Sequence, residues 1–260
     1  MQQPETAARA PAAETRHRRG KTAPSFAARV LESMLFRVKG VGNIVLARPP
    51  RFVIIGTGRC GTSYAAAYLS DLGIACSHEG YFTPDGPKLR NRRRPADAKG
   101  DVSWLAVPFL KGGELPIVHL VRHPQDVVRS LYNMGFFDPR FRDVHRDFIA
   151  FAERHFHVGE DPFDACVRWC IEWNERCERL AGLRIQVEAF EKRLPDLTAY
   201  IGFAPTRTAP APSSTWNSWL SLHPRPLSAP DVEQRLLRHP RGGQLAEIAE
   251  RYGYASEGRA

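Results

Sequence analysis

The sequence predicts an α/β fold in which a parallel sheet is covered on both faces by helices. Three observations carry this. First, short apolar runs recur: Phe52-Val53-Ile54-Ile55 and Pro116–Val121 (PIVHLV), with a shorter RIQV segment at Arg184–Val187. Second, the first two runs are continuous rather than alternating, which is the pattern of a strand buried on both faces. Third, stretches of helical period separate the runs, and alternating strands and helices build parallel sheets.

The elements follow in order. Residues 1–25 are rich in Ala, Pro and Arg, have no apolar period, and read as a disordered basic leader. Phe26, Val30, Leu31, Met34, Leu35 and Val38 recur at helical spacing, so 26–51 is expected to hold an amphipathic helix and a linker. A single domain is expected over 52–260. Its first strand leads into a glycine-punctuated turn, Gly56–Gly61, and then a helix over Thr62–Leu72 that Gly73 ends. Ile74–Cys76 is the expected second strand, and 84–100 reads as a loop rich in Pro, Gly and Arg. After the strand at 116–121, Pro124 starts a helix with Val127, Val128 and Leu131 facing inward. Asp161 is a helix N-cap with Pro162 in the first turn, and Gly182 closes that long helix. Six prolines between Pro205 and Pro230 mark an irregular segment, and Gln244–Tyr252 a terminal helix.

Composition narrows the class. At 260 residues, 43% apolar and 25% charged, the chain can bury a sizeable core. No apolar run reaches the ~18–20 residues that span a bilayer, and no apolar leader precedes the domain. The 37 Lys and Arg against 28 Asp and Glu leave +9, of which residues 1–51 hold +7. The basic leader would attract nucleic acid or an anionic surface electrostatically, but no nucleic-acid reader motif accompanies it. Five cysteines, an odd number, fit reduced thiols and a cytoplasmic location. Cys166, Cys170 and Cys177 share a helix face, yet lack the paired loop spacing of a zinc site, so no metal is expected.

The sharpest signal is Gly56-Thr57-Gly58-Arg59-Cys60-Gly61-Thr62-Ser63, set between a strand and a helix. Gly56 and Gly61 have the G-x-x-x-x-G spacing of a phosphate loop. Glycines let backbone N–H groups converge, and the helix start adds unpaired donors and the positive end of a dipole. Where nucleotide-hydrolysing loops carry Lys after the second Gly, this chain has Thr62, and its cation is Arg59 inside the loop. A magnesium-binding carboxylate is also missing, because the strand at 116–121 ends in Arg122-His123-Pro124.

Together with the segment Ile117–Ser130 (IVHLVRHPQDVVRS), this loop resembles the P-loop sulfotransferases. The resemblance covers roughly Phe52–Tyr254 and is specific in those two segments. It implies a P-loop, nucleotide-kinase-like three-layer sandwich. The implied co-substrate is 3′-phosphoadenosine 5′-phosphosulfate, whose sulfuryl group passes to a hydroxyl or amine of an unidentified acceptor, with no metal. Gly56, Thr57, Gly58, Arg59, Cys60, Gly61, Thr62 and Ser63 would hold the 5′-phosphosulfate. Arg122 and Ser130 would grip the 3′-phosphate. Arg59 would also stabilise charge on the bridging oxygen. Ser77-His78-Glu79 is similar to a His-Glu stretch of bacterial members, which points to Glu79 as base, with His78 the alternative. Adjacent strand residues face opposite ways, so one of the two is expected in the cleft. Ser103-Trp104-Leu105 is expected to line the acceptor side. Glu188, in Val187-Glu188-Ala189-Phe190, is expected to cap the next helix.

Other residues read more plainly. His119 is expected to be a satisfied core histidine, Trp169 and Trp173 core aromatics, and His155 and His157 exposed. Trp216 and Trp219 are candidates for an acceptor lid, and Arg90, Arg92, Arg93 and Arg94 for a solvated run. Cys60, near a helix start, is expected to have a lowered thiol pKa and to be open to oxidation. Acceptor loops are expected at 80–115, 135–160 and 205–230. The helix over 26–38 is a candidate homodimer contact. Two alternatives remain, a P-loop kinase and a nucleic-acid-binding protein using the leader.

Overall fold

The computed structural model describes residues 49–89, 94–208 and 221–254. The described residues belong to one compact unit, Ile44–Ala260. The basic leader, the helix expected over 26–38, Arg90, Arg92, Arg93, Trp216 and Trp219 lie outside the described residues.

A five-stranded parallel sheet forms the centre. Its strands are β1 (Phe52–Ile55), β2 (Cys76–His78), β5 (Gly100–Val102), β6 (Ile117–Val121) and β7 (Leu183–Gln186). A two-residue antiparallel hairpin, β3 (Phe82–Thr83) with β4 (Gly86–Pro87), lies outside the sheet. The spatial order is β2-β5-β1-β6-β7. Ile54 sits opposite Val102 on one side and Val118 on the other. Every residue of β1, β5 and β6 is buried, as expected for strands covered on both faces. The chain leaves β1 toward β2 and β5, then crosses to β6 on the other side. Such a reversal opens a crevice at the carboxyl ends of the strands, where α/β sheets place their ligands.

Helices flank the sheet. α1 (Thr62–Asp71) follows the glycine loop, and Gly73, at φ 82°, ends the turn after it. α2 (Pro124–Asn133) begins at its proline and buries Val127, Val128 and Leu131. α3 (Arg146–His155) precedes the long α4 (Pro162–Leu180), whose N-cap Asp161 accepts from the Asp164 amide. α5 (Leu194–Ile201), α6 (Ala229–Arg238) and α7 (Gly242–Arg251) complete the chain. Trp104 opens a 3₁₀ turn over Trp104–Phe109 and meets Phe136, Phe151 and Trp169 edge-on. Trp169 and Trp173 stack at 4.1 Å and are buried, as expected. No helix among the described residues is long and apolar enough to cross a membrane.

Several expectations need correction. The second strand is Cys76–His78, two residues later than Ile74–Cys76, because Ile74 and Ala75 form the turn out of α1. The stretch 84–100, expected to be a loop, contains β4 and the start of β5. Gly100-Asp101-Val102 carries no apolar run, yet it lies between β1 and β2. The end of the proline-rich segment starts α6 through a capping box, Ser228 with Asp231. His155 is half-buried against Phe151, while His157 is exposed.

His119, in the middle of β6, is buried, and its Nε2 donates to Asn174 Oδ1 at 3.1 Å. Its Nδ1 is buried with no partner among the described residues. Burial chiefly holds its pKa down, from 6.5 to about 3. Between those two values the unfolded chain binds a proton that the folded chain does not. Stability is therefore intact above pH 6.5 and falls as the pH drops through that window. Urea unfolding at pH 7 and pH 5 should show this as about 2 kcal/mol of acid sensitivity that His119→Gln removes.

Candidate active site

The carboxyl ends of β1, β2, β5 and β6 bring most of the sequence-marked residues to one edge. β1 runs into Gly56, and a Cβ there would collide with the Leu120 carbonyl of β6 and with Cys60 Sγ. Gly61 has φ 99°, and a side chain on it would strike Val187. Only glycine suits either position. No side chain caps the start of α1, and the first N–H groups of a helix point out of its start. Thr57 and Thr62 are buried in the loop, and Ser63 is half-buried.

Arg59 is held in the left-handed backbone region, φ 75°. Its Nε donates to Ser130 Oγ of α2 at 3.0 Å. Arg122, at the end of β6, donates from Nη1 to the Arg59 carbonyl at 3.3 Å. The loop and the second sequence segment therefore meet side by side. Burial, then the neighbouring Arg122 charge, lower the Arg59 pKa to about 10, so its guanidinium is still cationic at neutral pH. Two adjacent cations beside an uncapped helix start suit an anion. Ser130 accepts from Arg59 and keeps its own proton to donate.

His78 and Glu79 depart from the expected alternation. His78 Nε2 lies 3.1 Å from Thr62 Oγ1 and 3.2 Å from Ser63 Oγ. Glu79 follows the strand, and its amide still donates to the Val102 carbonyl. Its φ is 52°, and alternation holds only for extended backbone. Both side chains consequently line one cavity, with Glu79 Oε1 3.7 Å from His78 Nε2.

Asp101 of β5 fixes this turn, and sequence reasoning missed it. It is fully buried and accepts from Ser77 Oγ at 2.6 Å and from the Gly80 and Phe82 amides at 3.0 Å. Glu79 sits between those anchors. Burial raises the Asp101 pKa despite these bonds. The sequence carries no signal for it, because Gly100-Asp101-Val102 has no apolar run to declare a buried strand.

The cavity is about 370 Å³. Gly58, Arg59, Thr62, Ser63, His78 and Glu79 are among its lining residues. Trp104 also lines it, with Met134, Phe136, His145 and Phe148, whereas Ser103 and Leu105, expected beside Trp104 on the acceptor side, are fully buried and are not in the lining. Most of this wall falls in the expected stretches 80–115 and 135–160, but Leu131, Met134 and Trp169 do not. Gly56, Thr57, Cys60, Gly61, Arg122 and Ser130 are not in the lining and support the loop from behind or beside it.

Other expectations change. Cys60 is fully buried, and burial pushes its thiol up to about 12, so the reactive-thiol reading fails. Glu188 does not cap a helix; it accepts from Tyr254 Oη at 2.7 Å. Arg94 is half-buried over the Tyr81 ring rather than solvated. Cys166, Cys170 and Cys177 are buried with raised thiol pKa values. Among the described residues no His, Cys, Asp and Glu group is arranged to hold a metal ion.

Removing the Asp101 carboxylate strands a hydroxyl and two amides in the interior. Asp101→Ala should cost about 3 kcal/mol in urea unfolding. Asp101→Asn, which keeps an acceptor oxygen, should cost clearly less, and an equal loss would contradict the anchoring role.

No protein-family model matches the chain, and no curated protein matches it. Among solved structures, the crystal structure of a sulfotransferase from Alicyclobacillus acidocaldarius aligns at 18% identity with a TM-score of 0.47. The alignment covers 80% of this chain and 97% of that one.

Proposed function

We propose that this protein is a sulfotransferase that moves a sulfuryl group from 3′-phosphoadenosine 5′-phosphosulfate to an acceptor hydroxyl. The observation that carries the reading is the Arg59–Ser130 bond, 3.0 Å, which joins the glycine loop to the second half of α2. The two segments that resemble the donor-binding parts of P-loop sulfotransferases thereby form one cationic edge.

The loop amides, Thr62 and Ser63 receive the 5′-phosphosulfate, with Arg59 beside it. Arg122 and the Ser130 hydroxyl take the 3′-phosphate. The acceptor oxygen attacks sulfur in line. Its new S–O bond forms as the bond from sulfur to the bridging oxygen breaks. The electron pair stays on that oxygen, so adenosine 3′,5′-bisphosphate leaves, and its growing charge faces Arg59 and the start of α1. The acceptor proton passes to the Glu79 carboxylate, which lines the cavity and is 7% exposed. His78, between the Thr62 and Ser63 hydroxyls, orients both and remains the alternative base. The soluble pool of a nucleotide donor and a cytoplasmic location belong to this proposal.

Calorimetry with adenosine 3′,5′-bisphosphate, without Mg²⁺, tests the donor. Micromolar binding is expected, weakened on the order of tenfold or more in Arg122→Ala. ATP with Mg²⁺ binding in its place would overturn the reading in favour of a kinase.

A second measurement separates the base from the donor site. Glu79→Gln should lower kcat by about 10²–10⁴ while the bisphosphate Kd stays within about twofold. If His78→Gln abolishes turnover and Glu79→Gln does not, the base is His78.

A further inference from the structure

We infer that Tyr254 is a positioning residue for the donor site, holding the strand end that carries Arg122 at a fixed spacing from the glycine loop. This rests on the sulfotransferase reading above and deepens its account of the 3′-phosphate grip. Tyr254 stands more than 120 residues after Arg122 in the sequence and is not in the cavity lining.

The fold brings it there by local means. Helix α7 ends at Arg251, Gly253 turns the chain with φ 76°, and the Tyr254 amide folds back to the Ala249 carbonyl at 2.9 Å. Gln186, the last residue of β7, donates from Nε2 to the Tyr252 carbonyl at 2.7 Å. The half-buried Tyr254 is thereby set at the carboxyl ends of β6 and β7. Its Oη donates to Glu188 Oε2 at 2.7 Å and lies 3.3 Å from the Val121 carbonyl oxygen. Its ring meets the His123 ring at 5.1 Å between centroids. Val121 and His123 are the two neighbours of Arg122 in the chain.

Arg122 needs such a brace. β6 pairs with β1 as far as His119 and with β7 as far as Val121. Arg122 lies past both ladders, and α2 begins only at Pro124. Tyr254 therefore reaches both flanks of a short link that no strand neighbour holds. The same hydroxyl reaches the loop side. Glu188 follows Val187, whose Cγ2 would lie 2.5 Å from a Cβ placed on Gly61. The turn that Tyr254 grips is thus the one that backs the glycine loop. Arg122 closes the circuit by donating from Nη1 to the Arg59 carbonyl at 3.3 Å.

A ligand with anionic groups at both the 5′ and 3′ positions of one ribose is sensitive to that spacing, and a ligand with the 5′ group alone is not. The loop has its own anchors in β1 and in the crowding at Gly56, so losing the hydroxyl frees the Arg122 side first. Burial, then the Glu188 bond, push the Tyr254 pKa above its ordinary value of 10.0, so the phenol keeps the proton it donates.

The test is calorimetry on the full chain without Mg²⁺, using adenosine 3′,5′-bisphosphate and adenosine 5′-phosphosulfate, which lacks the 3′-phosphate. Tyr254→Phe keeps the ring and removes only the hydroxyl. It should raise the bisphosphate Kd about fivefold and leave the phosphosulfate Kd within about twofold. In an Arg122→Ala background the same change should add less than about twofold, because residues acting through one another are not additive. Glu188→Gln, which keeps an acceptor oxygen without the charge, should raise the bisphosphate Kd about twofold. Urea unfolding checks that each variant is folded, and Glu188→Gln carries the same comparison if Tyr254→Phe is not. If the bisphosphate binds and its Kd is unchanged by Tyr254→Phe, the inference is wrong and the donor reading stands. Equal losses for both nucleotides, or a full fivefold loss in the Arg122→Ala background, mark a general loosening and also overturn it. If the bisphosphate does not bind the unaltered chain, the donor reading fails and this inference fails with it.

Discussion

A parallel sheet buried on both faces leaves one kind of place for polar chemistry, and this molecule is arranged around that limit. β1, β5 and β6 bury every residue, so no charged group can stand on their faces without losing its water. The strand ends are the exception, because the backbone there turns out of the sheet. Gly56, His78, Ser103 and Arg122 are the first or last residues at four such ends. The order β2-β5-β1-β6-β7 puts those ends side by side although the sequence separates them widely. His119 shows the limit from inside. It is the one titratable side chain in mid-strand of β6, and burial keeps it neutral.

Leaving a strand sharply requires uncommon backbone. Among the described residues, Arg59 and Glu79 are the non-glycine positions with positive φ, and both line the cavity. Such conformations cost of order 1–3 kcal/mol each and persist when neighbours over-determine them. The neighbours can be named. Arg59 is clamped at both ends, by Ser130 on its side chain and Arg122 on its carbonyl. Glu79 is bracketed by Ser77 and Gly80, both tied to the Asp101 carboxylate. Strain at an exposed turn would relax. Here Glu79 sits between buried anchors and Arg59 between half-buried ones, so the carboxylate and the guanidinium are held beside one cavity.

The sequence marks some of this and hides the rest for definable reasons. β1 and β6 are legible because a strand buried on both faces must be apolar throughout. The glycine loop is legible because crowding at Gly56 and Gly61 forbids any other residue. β5 is not, because a three-residue strand with Asp101 at its centre carries no apolar run, and its burial depends on partners from the β2–β3 turn. The shared orientation of His78 and Glu79 is hidden too. Alternation presumes extended backbone, and nothing in Ser77-His78-Glu79-Gly80 declares a left-handed Glu79. Cys60 fails for a related reason. Proximity to a helix start argues for a low thiol pKa, but the thiol points into the interior, and desolvation outweighs both Arg122 and the helix. The apolar wall is the least legible part, since it is drawn from the Trp104 turn, α2, the stretch between α2 and α3, α3 and α4.

That wall and the cationic edge are coupled through α2. Ser130 anchors Arg59 from this helix, and Leu131, the next residue, faces the cavity. Met134, at the end of the same helix, lines the cavity and takes the His145 hydrogen bond on its carbonyl. A shift of α2 would therefore move the Arg59 clamp and the apolar wall together. Leu131 and Val128 are buried, and Pro124 fixes the start of the helix against β6. The packing that holds α2 on the sheet is thus what keeps the Arg59 guanidinium and the apolar wall in register.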